Sequence, residues 1–398
     1  MISISHFSIY RIPAGWRDWN YLQLESKNGA TGLSEVTESN GFTTGLIHCI
    51  HDALSHVINV QFESPLELRD FLRKRLRQSL GGVGTKAISA IENAAWDLWS
   101  LENSIPISTL LNRPSHNRSD LMVYWSHCGT TRVRSGNLVG KPSITNQEEL
   151  ETFSQEIQNS GVRAFKTNLI DLRFSPAQVL MPGFGKHTKD TALVNREFVP
   201  VLERSMKALR KYVGDEIESI VDFNFNLNLE DYYYFEEMLS RYSTRWIEID
   251  FDSSATLKSF KSKGYTKVCS GENLLGVESY LPIIDSDFVN VISIDLLWNG
   301  LLDSIAIAEL ALKSGKSFTL HNYYSHLSTF MCLRFLDMFN TFELLEFDYD
   351  DVSMRDEIFK FSTPYLPIQG RLPVLNSQIG WGLPELNRPT VSNLQVRK

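Results

Sequence analysis

An α/β barrel preceded by a small α+β cap is the fold this chain predicts, and three observations predict it. From residue 121 onward, short apolar runs alternate with longer amphipathic ones, the pattern of strands separated by helices. Eight such apolar runs can be read, and eight strands with intervening helices argue for a closed barrel of the TIM type rather than an open sheet. Ahead of them, residues 1–120 read as paired strands and turns followed by helices, a layout that marks a separate cap.

In the cap, strands are expected from Ile2 to Ile9 and from Tyr21 to Glu25, with a turn through Asn28-Gly29 leading into Thr31 to Val36. Gly41 to Ile58 and Leu66 to Leu80 read as helices, the second strongly charged on one face. The stretch Gly81-Gly82-Val83-Gly84-Thr85-Lys86 is glycine-rich, but Lys86 follows Thr85 where a phosphate loop needs Gly-Lys-Ser/Thr, so no phosphate site is expected. Ala87, Ile88, Ile91, Ala94, Ala95 and Leu98 then recur at helical spacing, a stripe of small and branched side chains that packs against something flat.

The barrel strands are expected at Leu121–Trp125, Val162–Lys166, Ile217–Asp222, Trp246–Glu248, Lys267–Ser270, Phe288–Ile294, Ser317–Leu320 and Leu344–Phe347. Helices between them include Ser154–Ser160, Val201–Val213 with Pro200 just ahead, Tyr232–Tyr242 and Ser304–Ser314. The stretch 174–191, with Pro176, Pro182, Gly183 and Gly185, is too long and broken for a simple connection and reads as a functional loop. Residues 121–361 thus form the barrel. The remaining segment, 362–398, is rich in Pro and Gly, yet Tyr365, Leu366, Leu372, Trp381 and Leu383 make it too apolar for a disordered tail, and it is expected to pack back on the cap.

Composition excludes several classes. A chain of 398 residues that is 42% hydrophobic can bury a large core. Its net charge of -8 and lack of a long basic run give no general attraction for nucleic acid. No segment approaches the roughly 20 apolar residues of a membrane span, and the first residues lack a basic region followed by an apolar stretch, so a cytoplasmic protein with no membrane partner is expected. Cys49, Cys128, Cys269 and Cys332 are scattered with no Cys-x-x-Cys spacing, which suggests neither a zinc site nor a disulfide framework. A small-molecule substrate and a homo-oligomeric assembly are expected.

The chemistry concentrates at the strand ends. Asp222, Glu248 and Glu272 close three successive apolar runs, 26 residues apart (248 minus 222) and 24 apart (272 minus 248), each gap the length of one strand-helix unit. One such acid would read as a solvated loop residue. Three at near-equal spacing place carboxylates side by side at one end of a barrel, where a hard cation such as Mg²⁺ can collect oxygen ligands, with Asn224 adding an amide to the same rim. Asp295 and His321 close the next two strands, so a carboxylate can fix the imidazole tautomer and raise its basicity, giving a base that works near neutral pH. Lys166 ends the second strand and points into the same mouth, with Asn168 two residues on. Trp16, Trp125, His127, Trp298, Asn299, Asn322, Tyr323, Tyr324 and His326 mix ring faces with donors and acceptors, a rim suited to a polyhydroxylated substrate. Arg17, in an early loop, can fold over the mouth to bind a distal carboxylate or hydroxyl, or can be a solvated surface charge.

In order, Lys166, Asp222 with Asn224, Glu248, Glu272, Asp295, His321 and Glu346 resemble the active-site series of the enolase superfamily, in particular its mandelate racemase-like branch of acid-sugar dehydratases. Gly32-Leu33-Ser34-Glu35 is similar to that family's Gly-x-x-Glu strand end, and the stretch from Ala87 to Leu98 to its helix before the barrel. Gly271-Glu272-Asn273 and Leu320-His321-Asn322 resemble its fifth- and seventh-strand motifs. The resemblance implies an α+β capping domain, a modified (β/α)7β barrel, and one Mg²⁺ that stabilises an enediolate formed by removing a proton next to a carboxylate. It also implies a catalytic place for Glu346. Three departures stand out: Asn168 replaces the second Lys of the family's Lys-x-Lys, Glu248-Ile249-Asp250 lacks the Pro of its Glu-x-Pro, and the loop at 174–191 is unusually long.

Two-base racemisation needs a base on each face of the planar intermediate, and Asn168 cannot be one. A dehydratase needs a base for the α-proton and an acid for the leaving β-hydroxyl, and His321 can serve as both in a syn elimination. A Mg²⁺-dependent sugar-acid dehydratase giving a 2-keto-3-deoxy acid is therefore the expected function. A racemase, epimerase or cycloisomerase on the same scaffold, with Lys166 delivering the second proton, is the alternative, and a catalytically silent member of the family is the third reading.

Overall fold

The computed structural model describes residues 1–38, 41–180, 193–251, 253–375, 378–388 and 390–391. The cap runs in chain order β1 (Ile2–Pro13), β2 (Asp18–Ser26), β3 (Thr31–Glu35), α1 (Thr43–Ser55), β4 (Gln61–Phe62), α2 (Pro65–Arg75), α3 (Gly82–Asn103) and α4 (Ile107–Leu110). Then follow β5 (Asp120–Trp125), α5 (Thr130–Ser135), α6 (Gln147–Ser160), β6 (Ala164–Thr167), a ribbon of β7 (Ile170–Asp171) and β8 (Gln178–Val179), α7 (Val199–Leu209) and β9 (Glu218–Asp222). The barrel continues through α8 (Tyr232–Leu239), β10 (Thr244–Glu248), α9 (Ser254–Ser259), β11 (Lys267–Ser270), α10 (Val277–Ile284), β12 (Val289–Ile294), α11 (Leu296–Lys313), β13 (Ser317–Leu320), α12 (His326–Leu336) and β14 (Leu345–Phe347). In the tail lies β15 (Arg371–Pro373).

The eight staves follow the order β5, β6, β9, β10, β11, β12, β13, β14, each paired parallel with the next as far as β13, and β14 pairs parallel with β5. The seam between β13 and β14 is joined by the Glu343 N–H donating to the Phe318 carbonyl at 2.8 Å and the Thr319 hydroxyl to the Leu344 carbonyl at 2.9 Å. This is the barrel the sequence predicts. Its strands carry near-continuous runs such as Ile220-Val221 and Val291-Ile292, fully buried because helices cover the outside while side chains fill the inside. No helix among the described residues is long and apolar enough to cross a membrane.

The cap sheet has the order β3-β2-β1-β4 and packs on α3, whose Ile88, Ile91, Ala94, Ala95 and Leu98 form the expected stripe. Contact is closest at Gly32, where an added Cβ would lie 2.3 Å from both the Ala94 carbonyl oxygen and the Leu98 nitrogen. Helix α3 begins five residues before the stripe and ends five after it, because its first turn contains Gly82 and Gly84, which carry no apolar period. Helix α11 likewise begins earlier than the expected Ser304. Gly300, at φ 76°, breaks it near its start, and the Glu92 carboxylate of α3 accepts from the Leu302 N–H just beyond the break at 2.8 Å.

The tail reaches both units. β15 pairs antiparallel with β5, while the Trp381 N–H donates to Asp97 Oδ1 at 2.8 Å and its indole to the Leu33 carbonyl at 2.8 Å. Of the loop expected at 174–191, positions 181–191 lie outside the described residues, and 178–179 form β8. Substituting Gly32→Ala should drive a methyl group into the α3 backbone and lower stability by about 1–3 kcal/mol or more. A lower urea midpoint at unchanged slope would show it, and an unchanged midpoint would count against this packing.

Candidate active site

Three carboxylates stand where three neighbouring staves end. β9 and β10 pair with Asp222 opposite Glu248, and β11 lies beside β10 with Cys269 opposite Glu248. Glu272 follows after Gly271, whose φ of 124° and missing Cβ let the chain pass the Ser293 carbonyl, 2.8 Å from where a Cβ would sit. All three acids are buried. From β6, the Lys166 ammonium reaches in among them, 3.5 Å from Asp222, 3.2 Å from Glu248 and 2.8 Å from Glu346 on β14.

The electrostatics follow from that crowding. Burial pushes the Glu248 and Glu272 carboxyls up to about 8; Lys166 opposes this at Glu248 and His321 at Glu272, while neighbouring carboxylates add to it. Asp250, a fourth acid next to Glu248, rises to about 7 through burial and repulsion from Asp222 and Glu248, and accepts a hydrogen bond from Asn273 at 2.7 Å. Glu346 goes the other way. Burial works against its charge but is outweighed by Lys166, His321 and His127, so it stays ionised well below the usual carboxylate range. Lys166 is also desolvated, yet Glu248, Glu346 and Asp222 hold its ammonium well above the usual lysine value.

The His321–Asp295 pair spans β12 and β13, with His321 Nδ1 2.8 Å from Asp295 Oδ2. Asp295 is fully buried and accepts two further bonds, from the Tyr324 hydroxyl at 2.5 Å and from the Trp298 N–H at 2.8 Å, so its orientation is fixed from three sides. His321 Nε2 points toward the acids, 3.7 Å from Glu272. Burial disfavours its charged form, but Glu272, the bond to Asp295 and Glu346 outweigh that and raise it to about 10. The sequence places Tyr324 on the rim but carries no signal that its hydroxyl grips the dyad carboxylate.

The expected rim divides in two. Trp298 lies 5.8 Å from the His321 ring and Tyr323 4.4 Å from the His127 ring. Arg17 is buried rather than solvated. Its guanidinium sits 4.4 Å over Tyr323 and 4.9 Å from Trp16, and it donates to Asp351 at 2.9 Å. Four other residues are corrections. The Asn322 carboxamide is spent on Thr329, Ser328 and the Glu346 carbonyl, and the Asn299 carboxamide on Gly276, Leu274 and Tyr280. Trp125 stacks on Tyr349 in a side cluster of the core. His326 is buried on Asp356 and pushed down to about 4, chiefly by burial. Asn168 donates its amide N–H to the Asp222 carbonyl at 2.9 Å, tying β6 to β9.

Among the described residues, no three His, Cys, Asp or Glu side chains are gathered closely enough to hold an ion as placed. The donor set still fits a hard divalent cation. Asp222, Glu248 and Glu272 offer only oxygens, they are buried in excess over one ammonium, and Asn224 beside them has a buried Oδ1 with no hydrogen-bond partner.

Comparison with known proteins agrees with this architecture. Residues 150–384 match the family described as enolase C-terminal domain-like, and residues 17–112 match the N-terminal domain of mandelate racemase / muconate lactonizing enzyme. A D-gluconate/D-galactonate dehydratase of Picrophilus torridus is 21% identical over 316 residues, 77% of this chain and 72% of that one. A crystal structure of a provisionally named L-alanine-DL-glutamate epimerase from Burkholderia xenovorans, bound to magnesium and fumarate, superposes with a TM-score of 0.90 at 26% identity, covering 100% of this chain and 97% of that one. A provisionally named dehydratase from Salmonella enterica serovar Typhimurium, at 18% identity and a TM-score of 0.84 over 100% and 99% of the two chains, shares the fold.

If the triad holds a cation, wild-type protein should gain about 2.7 kcal/mol of stability at a Mg²⁺ concentration of about 100 times its Kd. Glu272→Gln should fold, because it keeps the shape of a side chain whose charge burial already disfavours, but should lose most of that gain. Thermal melts across a Mg²⁺ titration decide the matter, and equal gains in the two proteins would reject Glu272 as a ligand.

Proposed function

The chain belongs to the enolase superfamily, in its mandelate racemase-like branch, and on that premise we propose that it is a Mg²⁺-dependent dehydratase of a sugar acid. It would remove the proton next to the carboxylate and eliminate the β-hydroxyl, leaving a 2-keto-3-deoxy acid. A cation held by Asp222, Glu248 and Glu272 would supply positive charge to the substrate carboxylate as its oxygens gain electron density. Asp295 holds Nδ1 of His321, which leaves Nε2 to take the α-proton.

One observation carries the choice of elimination over racemisation: among the described residues, no free base stands on the second stave. On the second stave the Lys166 amine is locked as an ammonium by Glu248, Glu346 and Asp222, and the residue two places on is Asn168, already bonded to the Asp222 carbonyl. Racemisation in both directions needs a base on each face. The dehydratase relative from Picrophilus torridus supports the same reading. The epimerase-named structure, at 26% identity, favours a second reading, in which Lys166 donates a proton to the opposite face of the same intermediate.

His321→Asn should abolish exchange of the substrate α-proton with deuterium oxide, and Asp295→Asn should reduce turnover on the order of 10² to 10⁴-fold by releasing the imidazole tautomer. Proton NMR of the substrate follows the exchange, and undiminished exchange in His321→Asn would move the base to another residue. The wild-type protein, screened with Mg²⁺ against mono- and diacid sugars, should release a 2-keto-3-deoxy product and leave α-epimers unconverted. Rapid epimerisation without water loss would replace the dehydratase with the epimerase.

A further inference from the structure

A second histidine-carboxylate pair stands at the same barrel mouth. His127 follows β5 and Asp348 follows β14, on adjacent paired staves, with His127 Nδ1 3.0 Å from Asp348 Oδ1. The construction repeats that of His321 on Asp295: a buried carboxylate on one ring nitrogen and, among the described residues, no hydrogen bond to the other. His127 adopts φ 48°, a left-handed backbone that costs a non-glycine residue energy and is retained where a side chain must be aimed. Its chain neighbours are pinned to the site already described. The Ser126 hydroxyl donates to Glu346 at 2.5 Å, and the Cys128 N–H donates to the carbonyl of Lys166 at 2.7 Å. The ring itself lies toward the eighth stave, on Asp348, and is steadied by the Tyr323 ring that follows the seventh.

We propose that His127, oriented by Asp348, is the acid that protonates the departing hydroxyl, a separate group from the base His321. This assignment rests on the dehydratase reading above. His321 Nε2 takes the proton from the α-carbon, the electron pair left behind forms the double bond to the β-carbon, and the bond from the β-carbon to oxygen breaks. That oxygen takes the proton from His127 Nε2 and leaves as water. His321 gains a proton as His127 loses one, so the charge of the two imidazoles together is unchanged, and exchange with solvent resets both. The enol then gains a proton at the β-carbon and loses its hydroxyl proton to become the 2-keto-3-deoxy acid.

The test uses the sugar acid that the wild-type protein dehydrates and its 3-deoxy-3-fluoro analogue, whose fluoride departs without needing a proton, both with Mg²⁺ present. His127→Asn should lose water elimination on the order of 10² to 10⁴-fold while keeping α-proton exchange and fluoride release near wild-type rates. Asp348→Asn should show the same split with a smaller loss. Water elimination by His127→Asn at the wild-type rate would overturn the assignment and leave both roles to His321. Parallel loss of exchange, fluoride and water in both variants would also overturn it, in favour of a structural role. A wild-type protein that exchanges the α-proton of sugar acids but releases neither water nor fluoride would overturn the dehydratase reading itself, and the role of His127 with it.

Discussion

An excess of buried negative charge at the barrel mouth governs the rest of the site. Asp222, Glu248, Asp250, Glu272 and Glu346 are all buried there, and among the described residues Lys166 is the one ammonium set among them. Two unit charges about 4 Å apart interact by about 4 kcal/mol at an effective dielectric near 20, so one amine cannot offset five acids. The fold answers unevenly. Glu346, given Lys166, the Ser126 hydroxyl and the Asn322 N–H, keeps its charge, while Glu248 and Glu272 are pushed toward protonation. The site is thus built to take up positive charge. The same field raises His321, and neutralising Glu272 would release the imidazole toward the range in which it works as a base.

Such a cluster keeps its geometry only if its supports are stiff, and the cap supplies several of them. From α3, the Ser89 hydroxyl donates to the Trp298 carbonyl at 3.0 Å, Asn93 donates to the Leu296 carbonyl at 3.1 Å, and Glu92 caps the chain at Leu302. These three bonds fix the segment that follows Asp295. Glu35, at the end of β3, accepts from the Ser325 hydroxyl and N–H and from the Ser328 N–H, which holds the start of α12 just after Tyr324. Burial pushes both Glu35 and Glu92 up to about 7, a cost offset in part by those hydrogen bonds. The dyad is thereby positioned from outside the barrel that carries it.

Much of this was legible in the sequence, for a physical reason. A barrel strand alternates its side chains, so the residue at its carboxyl end is placed by the period of the apolar run before it, and Asp222, Glu248, Asp295 and His321 all sit at such ends. The illegible part begins one or two residues later, where the chain turns and the period stops. Asn322 and Asn299 read as rim residues because they are polar and near strand ends, yet both carboxamides turn inward to satisfy backbone groups. His326 looked like a donor at the mouth but opens α12 with its ring in the core. The early start of α11 was hidden by Gly300, which interrupts the helical pattern that would have announced it.

The positions where this chain departs from the family pattern have structural occupants, and together they narrow the chemistry. Asp250, in place of a proline, joins the acidic cluster and is anchored by Asn273. Asn168, in place of a lysine, ties two staves together beneath Asp222. With that amine gone, Lys166 alone faces three carboxylates, and the proton it carries is held by all of them. A group held so strongly in its charged form is a poor base and a good fixed charge. Proton traffic then falls to side chains whose second nitrogen is free, and among the described residues at this mouth those are the two imidazoles gripped by carboxylates, His321 from the seventh stave and His127 from the first. An elimination needs one proton taken and one given, which is the traffic that two such groups on separate staves can carry.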